Sequence, residues 1–223
     1  MIKGVIFDFN GTLYLDHDIN RIAWEGAFNS VKPKSSSAKY SDINRGYSPN
    51  DYLLCKVIYR HFNIEPTDQM IKDLSILKET EYKNLAIKRN MNKLVEGSEQ
   101  LFRFLKEHNI PYCIASMAPK MNMDFYLDYL HLDKWFSYDN IVYDNGTYFE
   151  KNSQYKDAAK KMNLNVSDCL IIEDTPKNIV RAINGLHLNK FIYINTRNIE
   201  YIAKEILQEI KDYTEIDYKI FTN

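Results

Sequence analysis

Cysteine and glycine are scarce in this chain, an excess of either charge is missing, and so is any long apolar run. Cys55, Cys113 and Cys169 are odd in number and widely spaced. They form no Cys-x-x-Cys pair, so neither a disulfide framework nor a zinc site is indicated, and a reducing cytoplasm is the expected location. The histidines, His17, His61, His108, His131 and His187, include no pair four residues apart, which leaves a histidine-based metal site or triad without support. Lys and Arg number 29 against 30 Asp and Glu, for a formal net charge of -1. That balance gives no global attraction to nucleic acid or to an anionic membrane, and neither is expected as a partner. No apolar stretch approaches the roughly 18 residues of a membrane span, and the first one is broken early by Asp8, unlike a signal peptide. With only seven glycines in 223 residues, each one answers a local backbone need.

What is present is an ordinary globular composition, 45% apolar and 26% charged, enough for one core plus an insertion. Apolar runs at Gly4-Val5-Ile6-Phe7, Pro111–Ala115, Cys169-Leu170-Ile171-Ile172 and Lys190–Ile194 read as buried strands. Helical spacing separates the later ones, through Leu101, Phe102 and Leu105, then Phe125, Leu127 and Leu130, then Ile179, Ala182 and Ile183. The alternation predicts right-handed βαβ units and an α/β fold with a doubly wound parallel sheet. Residues 16–93 break the alternation with helical periodicity, as in Leu53, Leu54, Val57 and Ile58. The expected organisation is therefore a core of residues 1–15 and 94–223 with a helical domain of residues 16–93 inserted after the first strand. Residues 31–39 read as a loop, and Ile206 to Phe221 as a closing helix and tail. A monomer or weak dimer is expected.

The first strand runs into Asp8-Phe9-Asn10-Gly11-Thr12-Leu13. At the carboxyl end of a parallel strand this places a carboxylate where ligands bind, beside a glycine that lets amides approach an anion. Asn-Gly between alternating apolar residues is equally a hairpin signal, pairing Phe7 and Phe9 with Leu13 and Leu15. Ser116 follows the second strand, where its hydroxyl and the next amides suit a phosphate oxygen, or where it caps a helix. Lys151 precedes a helix-like stretch and is either a charge-neutralising group or a solvated lysine. Glu173-Asp174 ends a buried strand. Two carboxylates there, facing a third on strand one, suit a hard cation, and exposed turn acids are the alternative.

Taken in order, these motifs resemble the haloacid dehalogenase-like superfamily, whose pattern is Asp-x-Asp-Gly-Thr, then Ser or Thr, then Lys, then an acidic pair. The insertion resembles that family's helical cap of the first type. Its Ala23-Trp24 and Gly46-Tyr47-Ser48-Pro49-Asn50-Asp51-Tyr52-Leu53 are similar to segments of β-phosphoglucomutase-like members. The resemblance implies a phosphatase in which Asp8 attacks phosphorus and Asp8, the Asn10 carbonyl and Asp174 hold magnesium, with Glu173 nearby. Ser116 and Lys151 would hold the phosphoryl oxygens, Gly11, Thr12 and Met117 would line the phosphoryl site, and Asn20 and Arg45 would face the rest of a small phosphorylated metabolite. One position departs from the pattern. Family phosphatases carry an acid/base aspartate where this chain has Asn10, and general acid–base catalysis is worth roughly 10²–10⁴-fold. A slower phosphatase, a phosphotransferase or mutase, and a binding module with little turnover are the alternatives that follow.

Overall fold

β1 (Gly4–Phe7) is buried along its whole length, and a strand without a polar face needs cover on both sides. It lies in the middle of a six-stranded sheet of order β3-β2-β1-β4-β5-β6. The other strands are β2 (Tyr112–Pro119), β3 (Ile141–Asp144), β4 (Cys169–Glu173), β5 (Phe191–Ile194) and β6 (Ile206–Ile210). All pairings are parallel; Phe7 stands level with Ile114 on one side and Ile172 on the other. The computed structural model describes residues 2–43 and 50–222. Arg45 and the Gly46-Tyr47-Ser48-Pro49 stretch lie outside them.

Two compact units divide the chain, one of residues 1–15 and 93–223 and one of residues 16–92. In the first, α4 (Ser98–Glu107), α5 (Lys120–Tyr129), α6 (Lys151–Lys161) and α7 (Pro176–Leu186) alternate with the strands. One core layer joins Ile6, Ala115, Tyr155, Ala158, Ile171, Ile179 and Phe191. Phe7 meets Phe102, Tyr112 and Phe136 edge to face, with ring centroids 5.4, 6.4 and 6.3 Å apart, the arrangement that aligns positive ring edges with negative faces. The second unit consists of α1 (His17–Val31), α2 (Asp51–His61) and α3 (Asp68–Lys88). Its helices close on Trp24, Phe28, Leu54, Ile58, Ile71 and Leu74. Within it the buried Lys78 ammonium pairs with Glu79 at 2.7 Å. No described helix is long and apolar enough to cross a membrane.

Two readings of the sequence change here. Residues 206–221 are not a closing helix: Ile206–Ile210 extends the sheet beside β5, followed by a short 3₁₀ turn and the four-residue helix Lys219–Thr222. Alternating exposure along β6 is the period-2 mark of an edge strand, and it is too short to stand out from helical spacing. The Asn-Gly hairpin does not form. Hydrogen bonding at β1 is already taken by β2 and β4, and residues 9–14 fold into a compact loop instead.

All three cysteines are free and buried. Burial pushes the Cys55 and Cys113 thiols up to about 12 and Cys169 up to about 11. Thiolate, the reactive form, is thus scarce at neutral pH. Iodoacetamide is expected to leave the folded protein unmodified over a period that alkylates every cysteine in denaturant, as intact mass will report. Rapid alkylation of the folded chain would contradict this burial.

Candidate active site

The chain leaves β1 and crosses to β2 on one side, and β4 is laid down on the other, so the sheet reverses its winding at β1. In open α/β sheets the crevice beyond the carboxyl ends at such a point receives ligands. Asp8 is the first residue past β1, held by its amide's 2.9 Å bond to the Ile172 carbonyl. The chain then turns back. The Phe9 carbonyl accepts the amides of Thr12, Leu13 and Tyr14, and the Gly11 amide bonds the Tyr14 carbonyl at 2.7 Å. Gly11 takes a φ of +84°, a left-handed conformation that a side chain would resist. The turn aims the Thr12 hydroxyl back at Asp8 Oδ2, 3.1 Å away, and at Asp174 Oδ1, 3.5 Å away.

Lys151 begins α6, and its buried Nζ donates both to Asp8 Oδ1 and to the Ala115 carbonyl on β2. Ser116, the next residue of β2, donates its hydroxyl to Asn10 Oδ1 at 3.4 Å and accepts the Ala118 amide at 3.1 Å. Half-buried Met117 follows it on the strand. Asn10 Nδ2 donates to the Tyr126 hydroxyl at 3.0 Å, and the Tyr126 ring stacks on Phe9 at 4.4 Å. At the end of β4, Glu173 is fully buried and accepts from the Tyr155 hydroxyl at 2.6 Å and the Thr175 amide at 3.0 Å. Asp174 Oδ2 meets Arg197 Nη2 at 3.0 Å.

Asp8, Glu173 and Asp174 each offer an oxygen within 4.8 Å of the others, and all three are buried. Such proximity is costly. Burial raises the Asp8 carboxyl above its ordinary value; Lys151 pulls it back and Asp174 adds to the rise. Glu173 is raised well above the carboxylate range by burial first and the Asp8 charge second. Like charges held close in low dielectric disfavour the ionised forms unless a cation joins them. An all-oxygen, all-carboxylate donor set fits a hard divalent cation.

The structure thus gathers Asp8, Asn10, Thr12, Ser116, Lys151, Glu173 and Asp174 at the carboxyl ends of β1, β2 and β4, with Gly11 in the turn. Asn20 lies on α1, in the other unit. Sequence reading passed over Arg197, Tyr126 and Tyr155. Arg197 stands just beyond β5, so the strand-end rule applied to Asp174 could have found it. Tyr126 and Tyr155 are interior positions of helices and carry no linear signal.

A family model for haloacid dehalogenase-like hydrolases matches residues 2–187. No curated protein matches the chain. Among solved structures it is similar to a HAD hydrolase, family IA, variant 3, from Entamoeba histolytica HM-1:IMSS, at 25% identity and a TM-score of 0.80 over 100% of both chains. It is also similar to β-phosphoglucomutase from Clostridium difficile, at 19% identity and a TM-score of 0.75 over 100% of this chain and 96% of that one. CbbY from Rhodobacter sphaeroides in complex with phosphate follows, at 19% identity and a TM-score of 0.71 over 96% of each chain.

Proposed function

This chain belongs to the haloacid dehalogenase-like hydrolase family, and from that premise we propose that it is a phosphatase of a small phosphorylated metabolite, working through a phosphorylated Asp8. The observation that carries the reading is the Lys151 ammonium, shared between the Asp8 carboxylate and the Ala115 carbonyl at the centre of the sheet. Burial and the Asp174 charge raise the Asp8 carboxyl, and the Lys151 cation in contact with it works against that rise, favouring the ionised, nucleophilic form. Lys151 also balances the charge of an incoming phosphate. The Ser116 hydroxyl, 3.4 Å from Asn10 and in the next position of β2 after Ala115, is placed to donate to a phosphoryl oxygen.

An Asp8 oxygen attacks phosphorus, the bond from phosphorus to the ester oxygen breaks, and that oxygen leaves with the electron pair and takes a proton from solvent to become the alcohol. Water then attacks the phosphorus of the aspartyl-phosphate, gives a proton to solvent, and returns Asp8 as a carboxylate with free phosphate. Asn10 holds a hydrogen-bonding position between Ser116 and Tyr126, but an amide neither gives nor takes a proton at neutral pH. Asp8, Asp174, Glu173 and the Asn10 carbonyl would hold magnesium, which when bound neutralises phosphoryl charge. Residues 16–93 would be the family's inserted helical cap. Transfer to a sugar hydroxyl, as in a mutase, is the weaker reading, because the chain carries Asn20 and Pro49 where β-phosphoglucomutase-like members carry a histidine and an arginine.

The proposal is tested by phosphate release from a panel of phosphate monoesters. Activity is expected with magnesium, none after exhaustive chelation, and full recovery on adding magnesium back. Undiminished release in the chelator overturns the metal-dependent reading.

A further inference from the structure

Arg197 makes two contacts with one residue: Nη2 lies 3.0 Å from Asp174 Oδ2 and donates to the Asp174 main-chain carbonyl at 3.1 Å. The two ends of the pair differ. The Asp174 side chain is 2% exposed and that of Arg197 37%, so the guanidinium reaches in from solvent to a carboxylate that water barely touches. Lys151 is committed to Asp8 and Ala115. Arg197 is a cation in direct contact with Asp174, and a buried carboxylate that loses a charge partner is destabilised.

The Asp174 carboxylate does not depend on Arg197 for its orientation. Its Oδ1 accepts from the Thr175 and Thr12 hydroxyls, at 3.2 and 3.5 Å. The guanidinium contributes mainly charge, on the oxygen those hydroxyls leave. We propose that Arg197 is the resident counter-cation of the carboxylate cluster: it balances Asp174 while no divalent cation is bound and opposes one that arrives, lowering the site's affinity for metal. A full positive charge beside a dication is repulsive in a site of low dielectric. The inference rests on the metal-dependent reading above.

Manganese titration, followed by the paramagnetic resonance signal of the free ion, separates the two ideas. Arg197→Gln is expected to bind Mn²⁺ about tenfold or more tightly than the unaltered protein, the size of change that one neighbouring charge makes in a partly solvated site. In chelator the variant is expected to melt lower than the unaltered protein, and Mn²⁺ to raise its melting temperature by more. Equal or weaker Mn²⁺ binding by Arg197→Gln overturns the counter-cation role. Arg197→Lys keeps the charge without the two-point contact, and its affinity is expected to stay close to that of the unaltered protein. A large loss there means that Arg197 orients Asp174, which also overturns the proposal and remains readable should Arg197→Gln fail to fold. If the unaltered protein binds no Mn²⁺, the metal-dependent reading fails, and this inference with it.

Discussion

Phosphate release is expected to fall by at least about 10⁴-fold in Asp8→Asn, because an amide cannot act as the nucleophile and no substitute stands in its place. The fold should survive the change. Asp8 sits at the end of a fully buried strand whose packing is apolar, and asparagine is nearly isosteric. In the metal-free protein its carboxyl is raised by burial and by the Asp174 charge, against the pull of Lys151. Replacing it with a neutral group relieves repulsion on Glu173 as well, whose own rise has Asp8 as its second cause. Against that relief, the buried Lys151 ammonium loses its carboxylate partner, so the variant is expected to melt lower than the unaltered protein in chelator while still unfolding cooperatively from a folded state. Loss of activity with a cooperative melting curve assigns the loss to chemistry. Full activity in Asp8→Asn would refute the covalent route.

The second large effect runs the other way. Asn10→Asp restores a titratable group beside the phosphoryl site and is expected to raise the turnover of alkyl phosphates by about 10²–10⁴-fold, the usual worth of general acid–base catalysis. The pocket can accept the change, since the Tyr126 hydroxyl, now an acceptor from Asn10 Nδ2 at 3.0 Å, can instead donate to a carboxylate. Leaving-group dependence sharpens the test. An aryl ester such as p-nitrophenyl phosphate expels an anion that needs little protonation, so its breakdown should gain far less than that of an alkyl ester. An equal gain for both esters, or no gain at all, would place the acid elsewhere than position 10.

Much of this site was legible because the motifs fall at strand ends. Asp8 and the Glu173-Asp174 pair each follow a continuous apolar run, and the parallel order β2-β1-β4 then brings their carboxylates within 4.8 Å. Ser116 and Lys151 were weaker as isolated residues; the fold gives them weight by aiming Lys151 at Asp8 and placing Ser116 against Asn10. β3 and β6 escaped the sequence because both are short edge strands with mixed exposure, where a run of four or five residues carries little periodicity. The Asn-Gly pair misled in the opposite sense. Its local preference for a hairpin is real, but pairing on both sides of β1 left no edge for a returning strand, and Gly11 serves a tighter loop. Arg197 stands just beyond β5, within reach of the strand-end rule, whereas Tyr126 acts from within α5 and only the three-dimensional arrangement reveals it.

The measurement that bears most directly on the phosphorylated-Asp8 account is chemical trapping. The protein is quenched with borohydride during turnover of p-nitrophenyl phosphate in magnesium, and its peptides are mapped by mass. An aspartyl-phosphate is reduced to homoserine, and with Asn10 unable to deprotonate the attacking water the intermediate should persist long enough to be caught. The account predicts homoserine at position 8 in the unaltered protein and a loss of that signal on chelation. Sustained turnover with Asp8 unmodified, or with the label at any other residue, would contradict it.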